Sequence, residues 1–230
     1  MNTIFIIFIH YSRDFCIFSW EPNPSHIKRH EEMRKVYSEI GWKYFPIHGG
    51  VGDLSSNITF YHIGDDTGFT MLKSSCRKEC TPEHVPVYRL SDWMNQELHG
   101  REIPSSLSIY EKGPRVVMKM DIEMMEWLVL PDLISTGTLC PDVNGMIIEF
   151  HLRQHWFFYP ITFAHTRLGD NYTINNWEDA DKLKLEYLSE LANNANCSVE
   201  IRLHDDESHR GDGMPWPTPN DTAQFLGIAG

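Results

Sequence analysis

Short apolar runs recur along the chain, and polar residues follow each of them. Their length and their Val and Ile content are typical of strands that are buried on both faces of a parallel sheet. These runs are FCIFSW (15–20), KYFPIH (43–48), VPVYRL (85–90), RVVMKM (115–120) and NGMIIEFHL (144–152). In addition, ITFYHIG (58–64) and GFTML (68–72) flank DDTG and predict a β-hairpin.

Helical patterns lie between the runs. The segment SHIKRHEEMRKVYSEIG predicts a helix that has its N-cap at Ser25 and stops at Gly41. MEWLVLPDLIS predicts a helix that Pro131 kinks or ends. WEDADKLKLEYLSELANN predicts a helix whose apolar face comprises Leu183, Tyr187, Leu188 and Leu191. The strand CSVEIRLH is predicted to follow it. This alternation predicts an α/β fold with a mostly parallel sheet and right-handed crossovers.

The amino terminus, MNTIFIIFIHY, is apolar for about ten residues, whereas a membrane span needs ~20. It lacks the basic segment and the small-residue cleavage site of a signal peptide. We expect a buried parallel strand here, or the remnant of a segment that was cut away. The predicted organisation is an atypical amino terminus (1–14), one folded domain (15–210) and a Pro-rich tail (211–230).

Composition narrows the classes of partner. The chain has 230 residues, 41% of them hydrophobic, which is enough for one domain with a sizeable core. Its formal net charge of −12 argues against a nucleic acid as the main partner, because no basic stripe replaces the counterions of a phosphate backbone. A small neutral or cationic ligand is more compatible with this charge.

Cysteines and glycosylation sequons bear on the compartment. The five cysteines are scattered and lack the spacing of a zinc ribbon, so we expect reduced thiols, with a Cys76–Cys80 bridge as an open alternative. Four N-x-[ST] sequons favour the lumen of the secretory pathway over the cytoplasm, and they begin at Asn57, Asn171, Asn196 and Asn220.

Polar residues that follow strands are the candidate ligand contacts, because open α/β sheets bind ligands beyond the carboxyl ends of their strands. Glu21 follows the first run and could accept hydrogen bonds from ribose hydroxyls, or simply end the strand at Glu-Pro. In HGGVGD (48–53), the glycines provide backbone room beside a ligand or in a tight turn. No helix follows them, which excludes a dinucleotide fingerprint. Asp53 could contact a polar cofactor group or cap the turn.

The stretch MKMDIEMMEW (118–127) carries a second group of acids. Asp121 lies at the predicted strand's carboxyl end, on the same side as Lys119, and Glu123 begins the next turn. Two carboxylates there could orient a donor or accept a proton from a substrate hydroxyl. The helix dipole alone also explains acids at a helix start, and for Glu126 we favour that explanation.

Metal binding is not expected from the sequence. EFHLRQH holds Glu149, His151 and His155, with the histidines spaced as on a metal-binding helix face. The segment reads as a strand, however, where His151 and His155 need not converge. The acid-rich LHDDESHRGDG (203–213) is more typical of a solvated loop. We therefore assign no metal ligands.

Together these motifs resemble the FkbM-type S-adenosylmethionine-dependent methyltransferases, including their animal methyltransferase-like branch. WEPNP, HGGVGDLSSNITFYHIGDDTG, VYRLSDWM, VMKMDIEMMEWLVL, GMIIEFH and LHDDESHRGDG follow in the family's order over residues 15–214. The resemblance implies a Rossmann-like class I methyltransferase sheet with an inserted hairpin. It implies transfer of a methyl group from S-adenosylmethionine to a hydroxyl of a small-molecule or glycan acceptor.

By this resemblance, Glu21 binds the ribose, Gly52 and Asp53 line the adenine, and Asp121 and Glu123 lie near the methyl group. Two features depart from the family. Its glycine-rich first motif is missing before Glu21, and Met124 replaces the glycine of its D-x-E-G block. A missing first exon or a loss of cofactor binding would explain the first. An inactive binding module and, less favoured, a luminal glycosyltransferase are the alternative functions.

Overall fold

A computed structural model of the chain describes residues 3–9, 16–39, 41–62, 69–70, 80–100, 115–122, 124–151, 161–163, 172–194 and 197–203. The strands are β1 (Thr3–Ile9), β2 (Cys16–Glu21), β3 (Lys43–His48), β4 (Gly50–Gly52), β5 (Ser56–His62), β6 (Phe69–Thr70), β7 (Thr81–Arg89), β8 (Arg115–Asp121), β9 (Gly145–Ile148), β10 (Ile161–Phe163), β11 (Tyr172–Ile174) and β12 (Glu200–Leu203). The helices are α1 (Ile27–Glu39), α2 (Leu90–Glu97), α3 (Glu126–Ser135), α4 (Leu139–Asp142) and α5 (Trp177–Asn193). The predicted α/β class is confirmed.

The largest sheet has six strands in the order β12-β9-β8-β1-β2-β3. The pairs β12–β9, β8–β9 and β2–β3 are parallel, whereas β1 runs antiparallel to both of its neighbours, β2 and β8. The amino-terminal run is thus a strand, as predicted, but the expected parallel direction was wrong. Only residues 10–15 connect β1 to β2. A link this short joins antiparallel neighbours, because a parallel pair needs a crossover of about a dozen residues or more.

A second sheet of four strands has the order β4-β7-β5-β6. The predicted hairpin is confirmed, since β5 pairs antiparallel with β6 at Tyr61–Thr70 and His62–Phe69. All of the run VPVYRL (85–90) but Leu90, which begins α2, belongs to β7 in this sheet and not to the large sheet, contrary to expectation. Val85 and Val87 are buried while Tyr88 is exposed, which is the alternation of a strand with one covered face.

Helices α2, α3, α4 and α5 share one core with residues of the large sheet, and α1 packs beside β3. Asn23, not Ser25, caps the first one: its Oδ1 accepts from Ser25 N at 3.1 Å, and a 3-10 turn (Pro24–His26) leads into α1. The helix α3 continues past Pro131 to Ser135. Its mostly buried residues pack in the core with Trp20, Met118 and Met120, and this burial offsets the ~3 kcal/mol that a helical proline costs. No described helix is long and apolar enough to cross a membrane.

Disulfides replace most of the expected reduced thiols, although Cys16 is in no disulfide and Cys76, of the alternative Cys76–Cys80 bridge, lies outside the described residues. Cys140, in α4, is bonded to Cys197, which precedes β12, and 57 positions separate the two in sequence. Cys80 is also disulfide-bonded. The Cys140–Cys197 pair was not foreseen because its members share no local motif, and only the parallel pairing of β9 with β12 brings their segments together.

Candidate functional site

The carboxyl ends of β2, β8 and β9 lie at one edge of the large sheet, because these three strands run in the same direction. Glu21 ends β2, Asp121 ends β8, and Glu149 and His151 follow β9. Between the acidic ends lies the start of β1, where Thr3 pairs with Asp121 and Ile4 with Trp20. Glu123, His155 and residues 204–230 lie outside the described residues.

Glu21 is 1% exposed and already has partners in its own loop. Its Oε1 accepts from Asn23 N at 2.8 Å, and its Oε2 lies 3.3 Å from His26 Nδ1. His30, buried on α1, has its Nδ1 3.0 Å from the hydroxyl of Tyr44. Burial lowers the pKa of His30, and the nearby Glu21 charge partly opposes this. Glu21 thus closes the loop after β2 as well as marking the strand end.

The glycines of HGGVGD are required by close packing against β7. A Cβ at Gly49 would lie 2.7 Å from Pro86 O, and one at Gly52 would lie 2.9 Å from Val87 Cγ1. These approaches explain both glycines without any ligand. Asp53 is 4% exposed. Burial raises the pKa of the Asp53 carboxyl, and the charge of Arg89 opposes this only in part.

Asp121 contacts a cation on one side and an imidazole on the other. Its Oδ2 accepts from Lys119 Nζ at 3.2 Å, which confirms that the two residues share a side of β8. Its Oδ1 lies 3.6 Å from His151 Nε2, and Glu149 Oε1 lies 3.5 Å from the same nitrogen. The fold thus brings acids from β8 and from the end of β9 together around one histidine.

Glu126 completes this arrangement. Its side chain is fully buried, its Oε1 accepts from Ile122 N at 2.9 Å, and the same oxygen accepts from His151 Nδ1 at 2.7 Å. The expected role as an acid at a helix start is therefore only part of its function in the fold. Asp121, Glu126, Glu149 and His151 are referred to below as the His151 cluster. The sequence did offer one indication that Glu126 is buried, because apolar residues flank it on both sides.

Met124 adopts a φ of 85°, the left-handed region that favours glycine. The turn between β8 and α3 therefore keeps the backbone that a glycine would allow, with a buried side chain attached.

A second buried polar network was missed in the sequence. Arg89, at the end of β7, donates from Nη2 to Asp132 Oδ1 at 2.8 Å and from Nε to Asp132 Oδ2 at 3.2 Å. Ser91 donates to Asp132 Oδ2 at 2.5 Å. Burial raises the pKa of Asp132, while Ser91 and Arg89 lower it. This network joins the second sheet to α3.

Compared with models of protein families, with curated proteins and with solved structures, the chain has no significant match in any of the three. The chemistry of the strand ends is therefore the basis for assigning a function. These ends supply a buried carboxylate on β2, and an imidazole held between carboxylates beside β8. They can accept hydrogen bonds from hydroxyls, accept a proton or hold a cation.

Proposed function

We propose that the protein is a class I methyltransferase-type domain that transfers a methyl group from S-adenosylmethionine to a hydroxyl of a small molecule or a glycan. The strand order carries this proposal. Numbered along the chain within the large sheet, the strands are arranged 3-2-1-4-5-6, which is the doubly wound order of nucleotide-binding sheets. In such sheets the ligand binds where the order reverses, here between β1 and β8, beside Glu21 and Asp121.

In this proposal Glu21 accepts hydrogen bonds from the ribose, and Gly52 and Asp53 lie beside the adenine. Asp121, together with Glu123, orients the acceptor hydroxyl or takes up its proton. S-adenosylmethionine supplies the methyl group on a sulfonium, so the protein contributes mainly proximity and orientation. In this proposal His26 moves away from Glu21 Oε2, and the carboxylate then accepts hydrogen bonds from the two ribose hydroxyls.

The direction of β1 favours a second candidate, a non-catalytic binding module with the same sheet. In a doubly wound sheet the central strand is parallel to its neighbours and leads into the phosphate- or cofactor-binding turn at its carboxyl end. Here the amino-terminal end of β1 lies at that edge instead. A folded protein with no affinity for the cofactor would have this arrangement.

Calorimetric titration with S-adenosylhomocysteine distinguishes the two. We expect binding by the native chain and at least ~10-fold weaker binding by Glu21→Gln, because an amide oxygen accepts less strongly from hydroxyls than a carboxylate. Glu186→Gln is the matched control, because Glu186 is exposed on α5. This variant should bind S-adenosylhomocysteine with the same affinity as the native chain. If a folded native chain releases no heat, the methyltransferase proposal fails and the binding module stands.

We also infer that the protein matures in an oxidising compartment, the secretory-pathway lumen being the one that the sequons favour. The support is chemical: Cys140, Cys197 and Cys80 are disulfide-bonded, and structural disulfides persist mainly outside the reducing cytosol.

A further inference from the structure

The His151 cluster brings three metal-ligating side chains close together. One donor atom each of Asp121, Glu149 and His151 lies within 4.8 Å of the others. The distances from His151 Nε2 to the carboxylate oxygens are 3.6 Å and 3.5 Å. Ligands ~2.1 Å from a tetrahedral ion stand ~3.4 Å apart, so these separations suit a shared ion with little movement.

The contact between His151 and Glu126 is of the kind that metal-binding histidines generally have. A ligating imidazole almost always donates its other ring N–H to a carboxylate, a carbonyl or a water, which sets its tautomer. Glu126 Oε1 lies 2.7 Å from His151 Nδ1, so the nitrogen that faces Asp121 and Glu149 is Nε2. Among the residues that the structure describes, none forms a hydrogen bond with the fully buried Glu126 Oε2, which is unfavourable for a purely structural acid.

The cluster is held on rigid elements. Trp127 Nε1, next to Glu126 on α3, donates to His151 O at 2.9 Å, so two consecutive residues of one helix hold the histidine's backbone and ring. Glu149 N donates to Met120 O at 3.0 Å, which extends the β8–β9 pairing to the ligand itself. Three elements therefore position the donors before any ion arrives.

Charge also favours a cation. Three carboxylates surround one imidazole at a mostly buried position, and Lys119 contacts Asp121 Oδ2. Neighbouring carboxylates repel one another where water is largely excluded, and a bound divalent cation offsets this repulsion because it attracts each of them.

We propose that Asp121, Glu149 and His151 bind one divalent transition-metal ion, Zn²⁺ or Mn²⁺, and that Glu126 positions His151. A mixed imidazole and carboxylate set suits these ions better than Mg²⁺ or Ca²⁺, which prefer oxygen ligands alone. Three protein ligands leave a position open for water or for a hydroxyl of a bound molecule, as in catalytic metal sites. The proposal goes beyond methyl transfer and does not depend on it.

Metal content tests the proposal without any enzyme assay. Chelator-treated protein is dialysed against Zn²⁺, Mn²⁺, Mg²⁺ or Ca²⁺, and bound metal is measured by mass spectrometry and calorimetry. We expect one equivalent of Zn²⁺ or Mn²⁺, and at least 10-fold weaker binding of Mg²⁺ and Ca²⁺. Asp121→Asn and Glu149→Gln should each weaken binding at least 10-fold, and Glu126→Gln should weaken it by about 10- to 100-fold.

Asp142→Asn is the matched control. His99 Nδ1 lies 3.2 Å from Asp142 Oδ2 in a pair that resembles His151–Glu126, but His99 is exposed. The Asp142→Asn variant should bind metal with the same affinity as the native chain. The two isosteric variants of Asp121 and Glu149 are compared by circular dichroism, so that a loss of folding is not read as a loss of ligands.

Spectroscopy identifies the nitrogen ligand. Pulsed paramagnetic resonance of the Mn²⁺ form should show coupling to one imidazole nitrogen, and this coupling should vanish in folded His151→Gln. The proposal is overturned if the native chain binds no stoichiometric ion. It is equally overturned if binding survives unchanged in folded Asp121→Asn and Glu149→Gln, because the ion would then lie elsewhere in the chain.

Discussion

Met124 illustrates how a single residue keeps a backbone that its side chain disfavours. Its φ is 85°, and its side chain is 4% exposed within the core that α3 forms with the sheet. The left-handed conformation costs a non-glycine residue roughly 1–2 kcal/mol, whereas burying a Met side chain stabilises by roughly 2 kcal/mol or more. Burial therefore offsets the strain, and the turn after β8 persists without glycine.

Substituting Met124 separates these two terms. Met124→Ala should destabilise the fold by about 2–3 kcal/mol, because the packing is lost and the strain remains. Met124→Gly should be about 1 kcal/mol more stable than Met124→Ala, because glycine accepts this φ. Chemical denaturation followed by circular dichroism measures both.

The neighbouring Met125 is the control. It is also buried, but its φ is −73°, where alanine is favoured over glycine. At Met125 the alanine variant should be the more stable of the two. The same order at both positions would show that the backbone of residue 124 is not strained.

At the scale of elements, the Arg89–Asp132 pair connects β7 to α3. Asp132 is 5% exposed and its carboxylate receives two bonds from Arg89 and one from Ser91. Removing one partner of a buried pair leaves the other charge unsatisfied, which costs roughly 3–5 kcal/mol. The contact therefore contributes to holding the second sheet against α3.

We expect Arg89→Met to lower the free energy of unfolding by about 3 kcal/mol at pH 7. Burial already raises the folded-state pKa of Asp132, and losing Arg89 removes a group that lowers it. A raised folded pKa means that folding favours the protonated acid, so stability falls as pH rises above the ordinary value of 3.8. The deficit of the variant should therefore shrink as the pH falls from 7 towards 4.

Denaturation curves of both proteins across this pH range test the expectation. The matched control is Arg34→Met, because Arg34 is exposed and pairs with Glu31 on the surface of α1. That change should alter stability by less than about 0.5 kcal/mol. A deficit for Arg89→Met that does not vary with pH would contradict the role assigned to Asp132.

At the scale of the whole molecule, the Cys140–Cys197 disulfide links α4 to the segment before β12, which lies at one edge of the large sheet. The bond closes a loop of 57 positions, and the loop-entropy estimate for such a closure is about 4 kcal/mol. This anchor should matter most for the four-residue strand β12, because β9 is its only neighbour among the described strands.

Reduction should therefore destabilise the whole domain. We expect the Cys140→Ser/Cys197→Ser variant to lose about 2–4 kcal/mol of unfolding free energy relative to the oxidised protein. Added reductant should lower the stability of the native chain much more than that of the double variant. Peptide mapping without reductant should recover the Cys140–Cys197 link from secreted protein, and its absence there would contradict the proposed oxidising compartment.

The sequence alone determined the local structure. Runs of apolar residues and helical periodicity predicted β2, β3, β8, β9, β12, α3, α5 and the hairpin of β5 and β6, because apolar residues recur with the spacing of the element that buries them. The burial of Tyr187 and Leu191 confirms the predicted face of α5. Glu21 and Asp121 were located at strand ends for the same reason.

Only the tertiary structure decided which elements and side chains meet. The antiparallel direction of β1, the placement of β7 in a second sheet and the Cys140–Cys197 bond depend on pairings between distant segments. Glu126 and His151 are 25 positions apart, so no local pattern could join them. Sequence periodicity reports which face of an element is buried, whereas a site forms where the ends of separate strands converge.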